Sequence, residues 1–144
     1  MLKTIEEASK NFCTHQIRDE FSVDDGITKQ DRTLIAYIDI DASNGQKHRV
    51  YIASDEPFMQ KISKLFLEED KSDEETLIDM TLETANLIVG SAKVIAEESK
   101  KDTYTINTPY FEKIGKFDFK YDNAKTIKLK NGELTIAIKE LDAQ

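Results

Sequence analysis

Two Asn-Gly pairs, Asn44-Gly45 and Asn131-Gly132, each separate two runs in which apolar residues recur at alternate positions, and this constrains the fold more than any other feature. A strand turns successive side chains to opposite faces, so alternation marks a segment with one buried face. Asn-Gly tolerates the positive φ values of a tight turn that joins two such segments antiparallel. Residues 34–41 and 49–53 flank the first pair, and residues 126–130 and 134–138 flank the second. Two antiparallel hairpins are expected, one in the first half of the chain and one near its end.

Between the hairpins the apolar period changes from two to that of a helix. A first helix opens at Ser54 or Asp55 as N-cap, with Pro57 in its first turn. It presents Phe58, Ile62, Leu65 and Phe66 on one side and ends near Glu69. In a second, Ser72 and Glu75 match a capping box, and helix-favouring residues run without proline to about Lys100. Residues 103–106 and 117–119 alternate as further strands, and residues 11–23 are expected to hold another. The outline is an α+β fold: an antiparallel β-sheet with two long helices packed on one face. No internal repeat, low-complexity tract or Pro/Gly/Ser linker divides the 144 residues, whose length fits a single domain.

Composition narrows the function. With 20 Lys+Arg against 28 Asp+Glu, the formal net charge is −8, which repels phosphate backbones and anionic lipid. No nucleic-acid or membrane-surface role is expected; a protein partner is. The longest apolar runs, such as residues 87–89, fall far short of the roughly 20 residues that span a bilayer. The opening residues, MLKTIEEASK, lack the apolar stretch of a secretory signal, so a cytoplasmic location is expected. Cys13 is the only cysteine, which excludes an internal disulfide; with only His15 and His48 beside it, a Cys/His zinc shell is excluded too. Cys13 reads as a small apolar filler.

The second helix carries an unusual polar row. At about 100° per residue, Asp79, Glu83, Asn86 and Gly90 fall in a sector roughly 60° wide. Around them stand Leu77, Ile78, Met80, Leu82, Ala85, Leu87, Ile88, Val89, Ala92, Val94 and Ile95, so the helix is expected to be largely buried with this row facing outward. Gly90 lets another backbone approach closely, at a cost in helix propensity.

Asp79, three residues, Glu83, two residues, Asn86, then twenty-two residues to Pro109: this pattern resembles the motif of the CheC/CheX/FliY phosphatases of bacterial chemotaxis. There an Asp or Ser, a Glu, an Asn and a distant Pro recur at those intervals. Residues 83–93 also look like that family's active-site helix, and the similarity in element order extends over roughly residues 33–140. One copy of the motif is present; around Glu6, Glu7 and Asn11 the Glu-x-x-Asn spacing is not reproduced, whereas CheC carries two sites, so the chain is most similar to CheX. A FliN-like domain such as that of FliY is not expected, and little room is expected for the leading helix of a CheX.

The resemblance implies a phosphatase that removes the phosphoryl group from the aspartyl phosphate of a CheY-like response regulator. Asn86 matches the position that orients the attacking water. Glu83 matches the carboxylate that pairs with a lysine of the regulator, and Asp79 and Pro109 match supporting positions. It also implies that this chain binds no cofactor, that Mg²⁺ is carried by the regulator, and that the protein is a homodimer. The alternative is a noncatalytic module of the same fold that binds a receiver domain or a component of the flagellar switch. Of the other polar groups, Asp39 and Asp41 share one strand face and read as its solvated side rather than as a Mg²⁺ site. His15 and His48 read as surface or packing residues, and the acidic run 68–75 as a loop and helix start.

Overall fold

A computed structural model describes residues 2–18, 20–28, 30–99 and 103–141. Helix α1 (Leu2–Phe12) runs on into a single wider π turn (Cys13–Ile17) and is followed by strands β1 (Ser22–Asp25), β2 (Thr33–Ala42) and β3 (Lys47–Ser54). Helices α2 (Glu56–Leu67) and α3 (Glu74–Glu98) come next, then β4 (Tyr104–Ile106), β5 (Tyr110–Gly115), β6 (Asn123–Leu129) and β7 (Gly132–Leu141). The strands form one antiparallel sheet in the order β1-β6-β7-β3-β2-β4, with β5 pairing on the same edge of β2 as a second short partner. Three helices cover one face, one more than expected. Ile5, Ala8, Phe12, Phe58, Met59, Ile62, Ala85, Ile88 and Val89 meet Ile38, Ile40, Val50, Ile52 and Leu134 in the main core.

Both hairpins are present. β2 pairs with β3 from Leu34↔Ser54 to Asp41↔Lys47, and β6 pairs with β7 from Asn123↔Ile138 to Leu129↔Gly132. Their glycines differ in purpose. Gly45 lies in the left-handed region at φ +88°, as a turn of this kind requires. Gly132 does not; the second turn is formed by Lys130 and Asn131, and Gly132 is already the first residue of β7.

Several expectations are corrected. Residues 11–23 hold no full strand: Asn11 and Phe12 end α1, Cys13–Ile17 form the π turn, and only Ser22 and Val23 enter β1. The leading helix, for which little room seemed to remain, is α1 itself. Its Ile5, Ala8, Ser9 and Phe12 recur at helical spacing and are buried, which outweighs the local strand pattern. Residues 117–119 are not a strand either. Phe117 and Phe119 lie across the other sheet face, with ring centroids 5.2 and 5.1 Å from that of Tyr51, and cover a small second cluster of Ile35, Tyr51, Ala53, Ala124 and Ala137. Strand β5, absent from the sequence reading, takes the edge position beside β2. Cys13 is fully buried, and that burial pushes its thiol up to about 11.

The helix starts are resolved by hydrogen bonds. Asp55 caps α2: its Oδ1 accepts from the Phe58 N–H at 2.9 Å. Its Oδ2 accepts from the Glu133 N–H at 3.0 Å, so one carboxylate ties α2 to the start of β7. Desolvation raises the Asp55 pKa, and the two backbone hydrogen bonds oppose that rise. Asp55→Ala is expected to lower unfolding free energy by about 2–3 kcal/mol, through loss of a cap and of a second charge-assisted bond, read as a fall in the urea midpoint. At α3 the cap is Asp73, which accepts from the Thr76 N–H at 2.8 Å, and not Ser72. Ser72 is buried and held elsewhere: its N–H donates to Gln60 Oε1, its carbonyl accepts from Gln60 Nε2, and its hydroxyl meets Ser63 and Glu69. Helix α3 ends at Glu98, and Lys100 lies outside the described residues.

Candidate functional site

Helix α3 lies across β2, β3, β4 and β5 and also touches α1 and α2. Its inward face is Leu77, Met80, Thr81, Thr84, Ala85, Ile88, Val89, Ala92 and Ala96. Thr81 and Thr84 satisfy their hydroxyls within the helix, donating to Leu77 O and Met80 O at 2.7 Å each. These two polar residues are thereby compatible with burial, and the polar row left facing outward is the expected one. Asp79, Glu83 and Asn86 are all exposed, and Gly90 is half-buried at the end of their row. From Asp79 to Gly90 the row extends about 17 Å at 1.5 Å per residue.

A helix anchored along its whole inner face holds exposed side chains at a fixed spacing, which is what positioning chemistry requires. Among the described residues no side chain forms a hydrogen bond or ion pair with Asp79, Glu83 or Asn86, so their polar ends remain available to a partner. Asn86 offers a carbonyl acceptor and two amide donors, and Glu83, one turn before it, offers a carboxylate. An ideal Cβ on Gly90 meets no atom within 4 Å, so nothing inside the protein demands glycine there. Gly90→Ala is therefore expected to raise unfolding free energy by about 1 kcal/mol, from helix propensity alone, measured as a rise in the denaturation midpoint.

Pro109 stands apart from the row, half-buried in the three-residue link between β4 and β5. Both strands pair with β2 and both lie against α3. Asn107 fixes this link: its N–H and its Nδ2 each donate to Asp39 O at 3.0 Å. Pro109 then holds Thr108 in extended geometry. The structure thus brings Asp79, Glu83 and Asn86 onto one surface and places Pro109 on the sheet edge under the same helix.

Asp39 is engaged on the other face. Its two oxygens accept from Arg49 Nε and Nη2 at 2.7 and 3.0 Å, and the guanidinium lies 4.0 Å over the Tyr37 ring. The Asp39 hydrogen bond is the main cause that raises the Arg49 pKa. No group of three or more His, Cys, Asp or Glu among the described residues stands close enough to hold a metal ion, and no helix is long and apolar enough to cross a membrane.

Four apolar residues expected in the core are exposed instead. Leu65 and Phe66 are 46% and 41% exposed because α2 runs past the core after Ile62 and stops at Glu68, which adopts left-handed φ +58°. Leu87 and Val94 are 40% and 51% exposed and flank the polar row. Their place on the helical wheel, about 80° and 60° from Asp79, was the signal available in the sequence.

Comparison with known proteins agrees with this geometry. The model of the family described as Chemotaxis phosphatase CheX matches residues 35–128, well over half of the chain. No curated protein matches the sequence. Among solved structures, the chemotaxis protein CheX from Vibrio vulnificus superposes with a TM-score of 0.78 at 19% identity, covering 97% of this chain and 98% of that one. CheX in the CheX–CheY–BeF3–Mg²⁺ complex from Borrelia burgdorferi gives 0.69 at 17% identity, with coverages of 96% and 97%. FliY of Thermotoga maritima gives 0.60 at 12%, with 97% and 85%. These likenesses establish the CheX/CheC-like fold, and the α+β sheet with helices on one face is the architecture they share. With the family model matched across the motif helix and Pro109, the chain belongs to the CheX family of chemotaxis phosphatases.

Proposed function

We propose that this chain hydrolyses the aspartyl phosphate of a CheY-like response regulator in chemotaxis signalling. The observation that carries the reading is the exposed row Asp79, Glu83, Asn86 on a helix whose opposite side is buried along its length. The partner is supported by the CheX–CheY complex from Borrelia burgdorferi. In the reaction, water attacks phosphorus, the phosphorus–oxygen bond to the aspartyl group breaks, and the regulator regains its carboxylate. No covalent intermediate on this chain is needed. The Asn86 carbonyl accepts a hydrogen bond from the water while its amide donates toward the transferring oxygens, holding the nucleophile in line. Glu83 pairs with a lysine of the regulator and sets the register of α3 against the phosphorylation site. Asp79 borders the site, and Pro109 shapes the neighbouring link. Mg²⁺ belongs to the regulator, where it neutralises charge on the phosphoryl group. The protein acts as a cytoplasmic homodimer, with residues 1–144 as one phosphatase domain.

The test is the rate of phosphate loss from a phosphorylated CheY-like receiver of the same organism, with wild type, Glu83→Ala and Asn86→Ala at equal concentration. Acceleration by wild type, loss in Asn86→Ala and weaker binding in Glu83→Ala support the reading. Binding without acceleration by any of the three would replace it with a docking module.

A further inference from the structure

We propose that the uncharged groove beside the catalytic row, between α1, the end of α2 and α3, is the second half of the receiver-docking surface and takes apolar side chains that border the receiver's phosphorylation site. This rests on the receiver-phosphatase reading above. The groove measures about 260 Å³ and is lined by Asn11, Phe12, Phe66, Leu87 and Ser91 among others, none of them charged. A third of all residues in this chain are charged, so an uncharged concavity is a local departure from its surface. Phe66 and Leu87 are 41% and 40% exposed there, and the Phe66 ring stacks on that of Phe12 at 6.3 Å. An uncharged concavity with two large exposed apolar side chains marks a binding surface more than an ordinary stretch of exterior.

Area and continuity identify the occupant. The row from Asp79 to Gly90 covers only about 170 Å², taking about 17 Å of helix at about 10 Å width. Even a transient protein complex buries on the order of 500 Å² per partner. A receiver centred on Asn86 must therefore extend beyond the row. Leu87 lies one helical turn after Glu83 and Ser91 one turn after Leu87, so the groove borders the row along the helix surface. A partner that contacts Glu83 meets Leu87, at the edge of the groove, one turn further along the same helix. Polar contacts in the row then set orientation, and burial in the groove supplies affinity.

The division of labour is what the experiment reads. Leu87→Gln and Phe66→Gln remove apolar surface at exposed positions without breaking a hydrogen bond. In steady-state assays with phosphorylated receiver, the double variant is expected to raise KM about tenfold with kcat within about twofold of wild type. Leu87→Met, which keeps the apolar bulk, is expected to retain the wild-type KM. An unchanged KM in the double variant, with wild type active, overturns the proposal. So does a change from dimer to monomer in sedimentation with KM unchanged, which would assign the groove to a second copy of this chain. Failure of the enzymatic reading is separable, because titration of the receiver into wild type and double variant measures the groove directly. An affinity about tenfold weaker in the variant supports the groove even when hydrolysis is absent, and equal affinities overturn it.

Discussion

Asn86→Ala is expected to slow receiver dephosphorylation by about 10²–10³-fold while leaving the protein folded and able to bind. The magnitude is that of removing one positioned hydrogen-bonding group from a charge-developing transition state. The expectation is clean because of where Asn86 sits. Its side chain is exposed and bonded to no other described residue, so truncation leaves no buried group unsatisfied. Alanine also favours the helix by several tenths of a kcal/mol, so the melting temperature should hold or rise. Glu83, one turn away and proposed to pair with the receiver, is left intact, so KM should change far less than kcat. Single-turnover phosphate release and thermal unfolding, measured on the same preparation, check both halves. A variant that keeps more than about a third of the wild-type rate would remove Asn86 from the chemistry.

Gly132→Ala should have the largest effect on stability of any glycine-to-alanine change in this protein. A Cβ at that position would stand 2.8 Å from Phe58 N, 2.9 Å from Phe58 Cα and 3.0 Å from Phe58 Cβ. Real Cβ atoms do not approach so closely, and the obstacle is backbone. It is also fixed backbone. Phe58 is fully buried, its N–H is held by Asp55, and Asp55 is bonded in turn to Glu133, the neighbour of Gly132. Neither α2 nor β7 can move without breaking these bonds. We expect a loss of about 3 kcal/mol or more in unfolding free energy, read from urea denaturation. A loss below about 1 kcal/mol would show that α2 shifts freely on the sheet. Because α2 packs on α3, where Thr84 Oγ1 lies 3.8 Å from Met59 Sδ, a shift that preserved stability would still be visible as reduced phosphatase activity.

Gly132 also shows how far a local pattern carries. Asn131-Gly132 locates the second hairpin correctly, since alternating strands on both sides leave the turn nowhere else to go. The reason for the glycine is different from the local one. The first turn uses the positive φ of Gly45, whereas Gly132 is required for space against a residue more than seventy positions away in sequence. Only the packed fold brings Phe58 to that point.

The same distinction separates what was legible from what was not. The hairpins, α2, α3 and the outward direction of Asp79, Glu83 and Asn86 follow from period and from local caps, which act within a few residues of chain. The family was legible as well, because motif spacings are one-dimensional. Helix α1 shows helical spacing at Ile5, Ala8, Ser9 and Phe12, but residues 11–23 taken alone suggest a strand, and packing against α3 and the sheet decides between the two. Phe117 and Phe119 alternate as a strand would, yet they serve as a cover for Tyr51. Alternation also arises where two side chains must reach one sheet face from an irregular segment.

Leu87, Phe66 and Val94 mark the limit of the hydrophobic count. An apolar residue is buried only where another element covers it, and coverage is a property of where α1 and α2 stop. By itself the sequence determined the antiparallel hairpins, the two long helices and the exposed polar row, because each rests on interactions between residues a few positions apart. The tertiary structure decided the third helix, the role of Gly132 and the exposed groove beside Asn86, because each depends on surfaces that distant segments create only when they pack.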